Sequence, residues 1–104
     1  MMKPVDLSAV FAALANPNRR RILSSLRDPE QHYQPNPGID MREVGVCVSQ
    51  VSEHLEVSAA TASQFLAQLR DVNLLNSQRI GKFTYYQRNE RQVQEIADAV
   101  QSDI

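Results

Sequence analysis

The stretch SAATASQFLAQLRDVNLLNSQRIGKFTYYQRN, residues 58–89, changes its hydrophobic period part-way and so limits the fold more than any other feature of the chain. Up to Leu69 the apolar residues Ala62, Phe65, Leu66 and Leu69 recur at helical spacing, with Thr61, Gln64 and Gln68 on the opposite side. From Asn76 the pattern alternates around Gly81, with Ile80, Phe83 and Tyr85 interleaved with Arg79, Thr84 and Tyr86. Aromatic and β-branched residues alternating about a glycine predict a β-hairpin over about residues 76–88. The helix before it begins Ser58-Ala59-Ala60-Thr61-Ala62-Ser63, with short side chains throughout its front end. A core helix brings Leu or Ile earlier. A helix that must press its N-terminus into a groove would look like this one.

The preceding segment, SQVSEHLEV at residues 49–57, sets Val51 and Leu55 one turn apart, with Val48 extending the stripe backwards. Ser49 is its expected N-cap, Glu56-Val57 a tight turn, and Ser58 the cap of the next helix. A short helix, a tight turn and a second helix over about 49–70, then a glycine-tipped hairpin, is the order of a winged helix-turn-helix. In that motif the second helix enters the DNA major groove by its N-terminal turns. Ala59 and Ala60 would let the backbone approach closely, with Ser58 at the cap, where free N–H groups favour a phosphate. Thr61, Ser63, Gln64 and Gln68 would offer hydrogen bonds to base edges or phosphates. Arg79 and Lys82, with Thr84 beside them, would reach the DNA backbone or a minor groove. Each feature also has a plainer reading: a solvated helix face, a hairpin edge guarded by cations, or a motif that holds a protein partner.

Around this motif the chain reads as mainly helical. Asp6 is a candidate cap, and Leu7, Val10, Phe11 and Leu14 keep helical spacing to about Ala15. Asn16-Pro17 starts a second helix with Ile22, Leu23 and Leu26 inward. Arg19, Arg20 and Arg21 lie at its front, against the helix dipole, so carboxylates or a phosphate are expected to face them. Residues 28–40 contain Pro29, Pro35, Pro37 and Gly38 and read as an ordered loop. Within it, His32 and Tyr33 form either an effector contact or a loop tip. Val93, Ile96, Ala97, Val100 and Ile104 make one stripe of a terminal helix over about 90–102, and nothing in the sequence covers it. The expected whole is one domain, residues 1–104: two helices, a loop, the helix pair, the hairpin and the last helix.

Length and charge fit that reading. At 104 residues, 42% hydrophobic and 22% charged, the chain is an ordinary globular domain with a modest core that dimerisation often completes. No apolar run approaches the roughly 20 residues of a membrane span. Met1-Met2-Lys3-Pro4 followed by Asp6 shows no signal peptide, and a single cysteine fits a reducing cytoplasm. The net charge of −1 is uneven: residues 58–91 carry +3, residues 92–104 carry −3 and residues 1–57 carry −1. A basic region beside an acidic tail suggests one face for an anionic partner.

The sequence also resembles a known family. FAALANPNRRRILSSL is similar to the opening of the ArsR/SmtB repressors, which reads ALADPTRRRIL. EVSAATASQFLAQLRDVNLLNSQRIGKFTYYQRN resembles their GLSQSTVSHHLAVLREAGLV and the R.G and YYR that follow. The likeness spans nearly the whole chain apart from residues 28–40. It implies a homodimeric winged-helix repressor on an operator in double-stranded DNA, joined through its first and last helices. The interface would then use Leu7, Val10, Phe11, Val93, Ile96, Ala97 and Val100. Glu56 stands where the family often has a left-handed glycine, and Ala59-Ala60 replace its usual Gln-Pro or Gln-Ser.

Many of these relatives bind metal through a Cys-Val-Cys before the reading helix. Here EVGVCVSQ has Gly45 in place of the first Cys, and the last helix has no His. Cys47 alone remains at the first site, and the chain's two histidines, His32 and His54, lie outside the last helix, so neither site reaches the three or four ligands it needs. No cofactor, metal or effector is therefore assigned. Cys47 is read either as a small core residue or as the thiol of a redox-responsive repressor. No phosphate loop, nucleophile elbow or hydrolase helix occurs, so no enzyme is expected.

Overall fold

A computed structural model describes residues 5–104; the reading of Met1–Pro4 as free of a signal peptide falls outside them. Asp6 opens the first helix by accepting from the Ala9 amide at 3.1 Å, and α1 runs Leu7–Leu14. Asn16 Oδ1 then accepts from Asn18 and Arg19 amides at 2.8 and 3.1 Å, Pro17 fills the first helical position, and α2 runs Pro17–Leu26. After the loop come β1 (Val46–Cys47), α3 (Val48–Leu55), α4 (Ala59–Asp71), β2 (Leu75–Ile80), β3 (Phe83–Arg88) and α5 (Glu90–Asp103). The three strands form an antiparallel sheet in the order β1-β3-β2. The fold is the winged helix-turn-helix expected from the pattern.

One apolar cluster fastens these elements. Ile22 from α2, Val51 from α3, Ala62, Leu66 and Leu69 from α4, and Tyr86 from β3 all lie within it. Each large side chain fully buried there contributes about 1.5–3 kcal/mol relative to exposure. The inward stripe of α4 begins only at Ala62, because the front of the helix stands clear of the core.

Two details depart from the sequence reading. Ser49 is not the cap of α3: Cys47 is, and Gln50 Oε1 accepts from the Cys47 amide at 2.8 Å. Val48 does extend the helix backwards, as its first residue, but Val46 and Cys47 just before it form a strand that pairs with Tyr86 and Tyr85 of the wing. Two residues are too few to leave a period in the sequence, and their partners lie beyond the helix pair.

The loop is packed rather than loose. Pro29–Gln31 make a 3-10 turn, and Tyr33 is buried with its hydroxyl 2.7 Å from Ser25 Oγ. Gln50 Nε2 donates to the Gln34 carbonyl at 2.6 Å, and Arg42 Nε donates to Glu30 Oε1 at 2.7 Å. Tyr33 is thus a core residue of this segment and not a loop tip.

Candidate nucleic-acid interface

The turn between α3 and α4 sets the angle of the candidate reading helix. Glu56 occupies the left-handed region with φ 58° and ψ 44°, as a glycine ordinarily would. A side chain there costs about 1 kcal/mol or more. Ser52 Oγ donates to the Val57 carbonyl at 2.6 Å and steadies the same turn. Ser58 then caps α4: its Oγ accepts from the Thr61 amide at 3.1 Å and donates to Thr61 Oγ1 at 3.0 Å. Two hydroxyls that sequence assigned to DNA are therefore already engaged in starting the helix. Ala59, Ala60, Ser63 and Gln64 stand exposed around the same first turns.

Gln68 is exposed one turn further along and touches a neighbouring helix. Its Oε1 accepts from Arg19 Nη1 at 2.8 Å. Arg19 also donates to the carbonyls of Ala13 at 2.6 Å and Ala12 at 3.1 Å, and its guanidinium lies 5.9 Å from the Phe65 ring centre. One side chain thereby joins the end of α1, the start of α2 and the outer face of α4. Arg20 donates to the Leu14 carbonyl, and Arg21 to Asn18 Oδ1 at 3.3 Å. So Arg19 and Arg20 face no carboxylate among the described residues and instead donate to the free carbonyls at the end of α1. Arg19 was missed as a positioning residue. The available signal was a last turn of α1 with no basic residue of its own.

Within the basic segment 58–91, the wing carries the cations that have no carboxylate partner among the described residues. Residues Ile80 and Phe83 pair across a two-residue turn, Gly81-Lys82, with Gly81 at φ 61°. A positive φ at the first turn residue matches the right-handed twist of the strands. Arg79 Nε donates to the Gly81 carbonyl at 3.2 Å, Lys82 is exposed, and Thr84 is half-buried opposite Arg79. Other cations of the basic segment are occupied: Arg88 lies 3.1 Å from Glu90, Arg91 3.4 Å from Glu95, and Arg70 3.8 Å from Asp71. A groove of about 410 Å³ separates the wing from the front of α4, with Ala59 and Ser63 on one wall and Lys82, Phe83 and Thr84 on the other.

The residues assigned to self-association divide into two sets. Val10, 1% exposed, and Ile96, 9% exposed, are buried in the core of their own chain. Phe11 is 44% exposed, Ala97 is exposed, and Leu7, Val93 and Val100 are half-buried along the adjoining α1 and α5.

Cys47 is buried, with Sγ 3.2 Å from Ser49 Oγ and 3.5 Å from Asn36 Nδ2. Burial pushes its thiol up, but hydrogen bonds from Ser49, the Gln50 amide and Asn36 outweigh it and hold the thiol below its ordinary range. His54 is pushed below the usual imidazole value by burial first, then by His32 and Arg21. Its ring centre lies 4.9 Å from that of Tyr33 and 5.7 Å from that of His32. Among the described residues no group of three His, Cys, Asp or Glu is placed to hold a metal ion. Gly45 has φ 97°, and a Cβ there would stand 1.9 Å from the Tyr86 carbonyl oxygen.

Comparison with known proteins gives this geometry its family. The description of bacterial regulatory proteins of the arsR family matches residues 42–77, from before β1 into the wing. The HTH-type transcriptional regulator YbzH of Bacillus subtilis (strain 168) is 43% identical over 103 residues, covering 99% of this chain and all of the relative. This chain belongs to the ArsR family. ArsR proteins are transcriptional regulators with a DNA-binding winged helix, and they are not enzymes. A transcriptional repressor SmtB homolog of Synechocystis is 28% identical over 100 residues, 92% of this chain and 64% of its own length. The homodimeric winged helix-turn-helix DNA-binding domain of a possible ArsR-family regulator of Mycobacterium bovis superposes with a TM-score of 0.63 at 24% identity. That match covers 99% of this chain and 91% of the other.

Proposed function

We propose that residues 1–104 act as one cytoplasmic DNA-binding unit, a homodimeric repressor that occupies a twofold-related operator. The observation that carries this reading is the bare front of α4. Ala59, Ala60, Ser63 and Gln64 are exposed beside a wing whose Arg79 and Lys82 have no carboxylate partner among the described residues. Small side chains admit the helix to a major groove, Gln64 reaches base edges, and the wing cations hold phosphates. Ser58 and Thr61 contribute the cap rather than base contacts, and Gln68 contributes to the seating of α4. The exposed part of the α1–α5 face, centred on Phe11 and Ala97, forms the dimer contact.

The regulator works without the metal site of its relatives. Gly45 removes one ligand, and its crowding against Tyr86 leaves no room for a side chain in its place. Cys47 serves as a cap and core residue.

Selection of short duplexes from a random pool, followed by hydroxyl-radical footprinting, tests the reading. Two protected half-sites, centred about 10 base pairs apart or a multiple of that, are expected. Failure to enrich any duplex, or protection of a lone half-site by a monomer, would overturn it.

A further inference from the structure

The tip of the wing is apolar where a solvated hairpin would be polar. Ile80 is 39% exposed and Phe83 45% exposed, and the two pair directly across the Gly81-Lys82 turn. Single exposed apolar residues are common on protein surfaces. A cross-strand pair at the point of a hairpin is different, because it makes one continuous apolar patch: Phe83 rests edge-on against the buried Tyr85, ring centres 6.3 Å apart, and still leaves nearly half of its surface open beside Ile80. The charges around it are of one sign: from Val72 to Asn89 the chain holds Arg79, Lys82 and Arg88 and no acidic residue. Arg79 and Lys82 flank the pair, and the Lys82 ammonium lies 5.7 Å from the centre of the Phe83 ring. Phe83 and Lys82 also form one wall of the groove whose other wall is the front of α4.

We propose that Ile80 and Phe83 enter the minor groove of the bound duplex as an apolar wedge, and so select an easily unstacked base step beside the sequence read by α4. The proposal rests on the DNA-binding reading above. The minor groove is about 6 Å wide, too narrow for a helix but open to the side chains at a hairpin tip. Its phosphate rims attract the two cations that flank the pair. Proteins that press apolar side chains between base steps there kink the duplex, and pyrimidine–purine steps yield most readily. The wing thus adds specificity without a hydrogen bond to any base.

The test uses the full chain and duplexes selected by the wild-type protein, with Ile80→Ser, Phe83→Ser, Phe83→Leu, Lys82→Ala and Gln64→Ala. Thermal melts confirm that the tip variants fold. Ile80→Ser and Phe83→Ser are each expected to lose about 10-fold in affinity, reduce the bend measured by end-to-end fluorescence transfer, and lose the preference for a flexible step. Phe83→Leu should keep most of all three. The slope of log K against log salt should stay unchanged for the serine variants and fall only for Lys82→Ala, since counterion release counts phosphate contacts. A lower slope for Phe83→Ser would mean that the ring merely positions Lys82, and overturns the wedge. So does wild-type affinity and bend in both serine variants while Gln64→Ala still weakens cognate binding; in that case the DNA-binding reading stands. A pool from which the wild type enriches nothing overturns both.

Discussion

Gln64 and Gln68 lie one turn apart on the same side of α4, and sequence gives them the same role. Their neighbours separate them. Arg19 reaches Gln68 at 2.8 Å, whereas Gln64 is exposed near the front of the helix. Replacing Gln64 by Ala should cost about 1–3 kcal/mol on a selected duplex and little on random DNA. Gln68→Ala should weaken both duplexes to a similar, smaller degree, because it loosens the seating of the helix rather than a base contact. Binding titrations with both DNAs check the pair; equal selectivity losses would return Gln68 to the reading face. The distinction was invisible in the sequence because Arg19 and Gln68 are far apart in the chain, and helical spacing reports only which side a residue is on.

At the scale of elements, the strong periods carried over well. The stripes of α1, α2, α4 and α5, the caps Asp6, Asn16 and Ser58, and the glycine-tipped hairpin were all legible, because each is dictated by local spacing or by a side chain close to the backbone it satisfies; that Lys82 sits within the turn rather than beside it was not. Strand β1 was not, since its pairing is entirely long-range. The cap of α3 moved with it, from Ser49 to Cys47. The turn between α3 and α4 is where sequence and geometry agree at a cost. Glu56 keeps φ 58° without the freedom of glycine. Glu56→Gly should stabilise the fold by about 1 kcal/mol or somewhat less, because glycine also loses more backbone entropy on folding. Urea unfolding should show a raised midpoint with an unchanged slope; a lowered midpoint would mean that Glu56 is supported by its surroundings.

For the whole molecule, burial separates the apolar residues held inside one chain from those left free to meet a second. Ile96 sits in the interior, so Ile96→Asp should bury an unpaired charge and unfold the domain at a cost of several kcal/mol. Phe11 and Ala97 protrude from the folded chain. Phe11→Asp or Ala97→Asp should leave the circular dichroism spectrum intact, shift sedimentation to that of a monomer, and remove operator binding with it. A dimer that survives both changes would place the contact on another face. Sequence could list the apolar stripe but not divide it, because helical spacing marks a face without saying how deep each residue sits.

The close approach of Gly45 to the wing also bears on ancestry. A lineage holding this backbone cannot gain a thiolate at position 45 by one substitution alone, since the new Cβ would collide with the Tyr86 carbonyl. The strand would have to shift before the cysteine arrived, and the intermediate would have to survive without either advantage. Descendants of such a chain that come to answer a chemical signal would therefore be expected to build the sensor elsewhere on the scaffold.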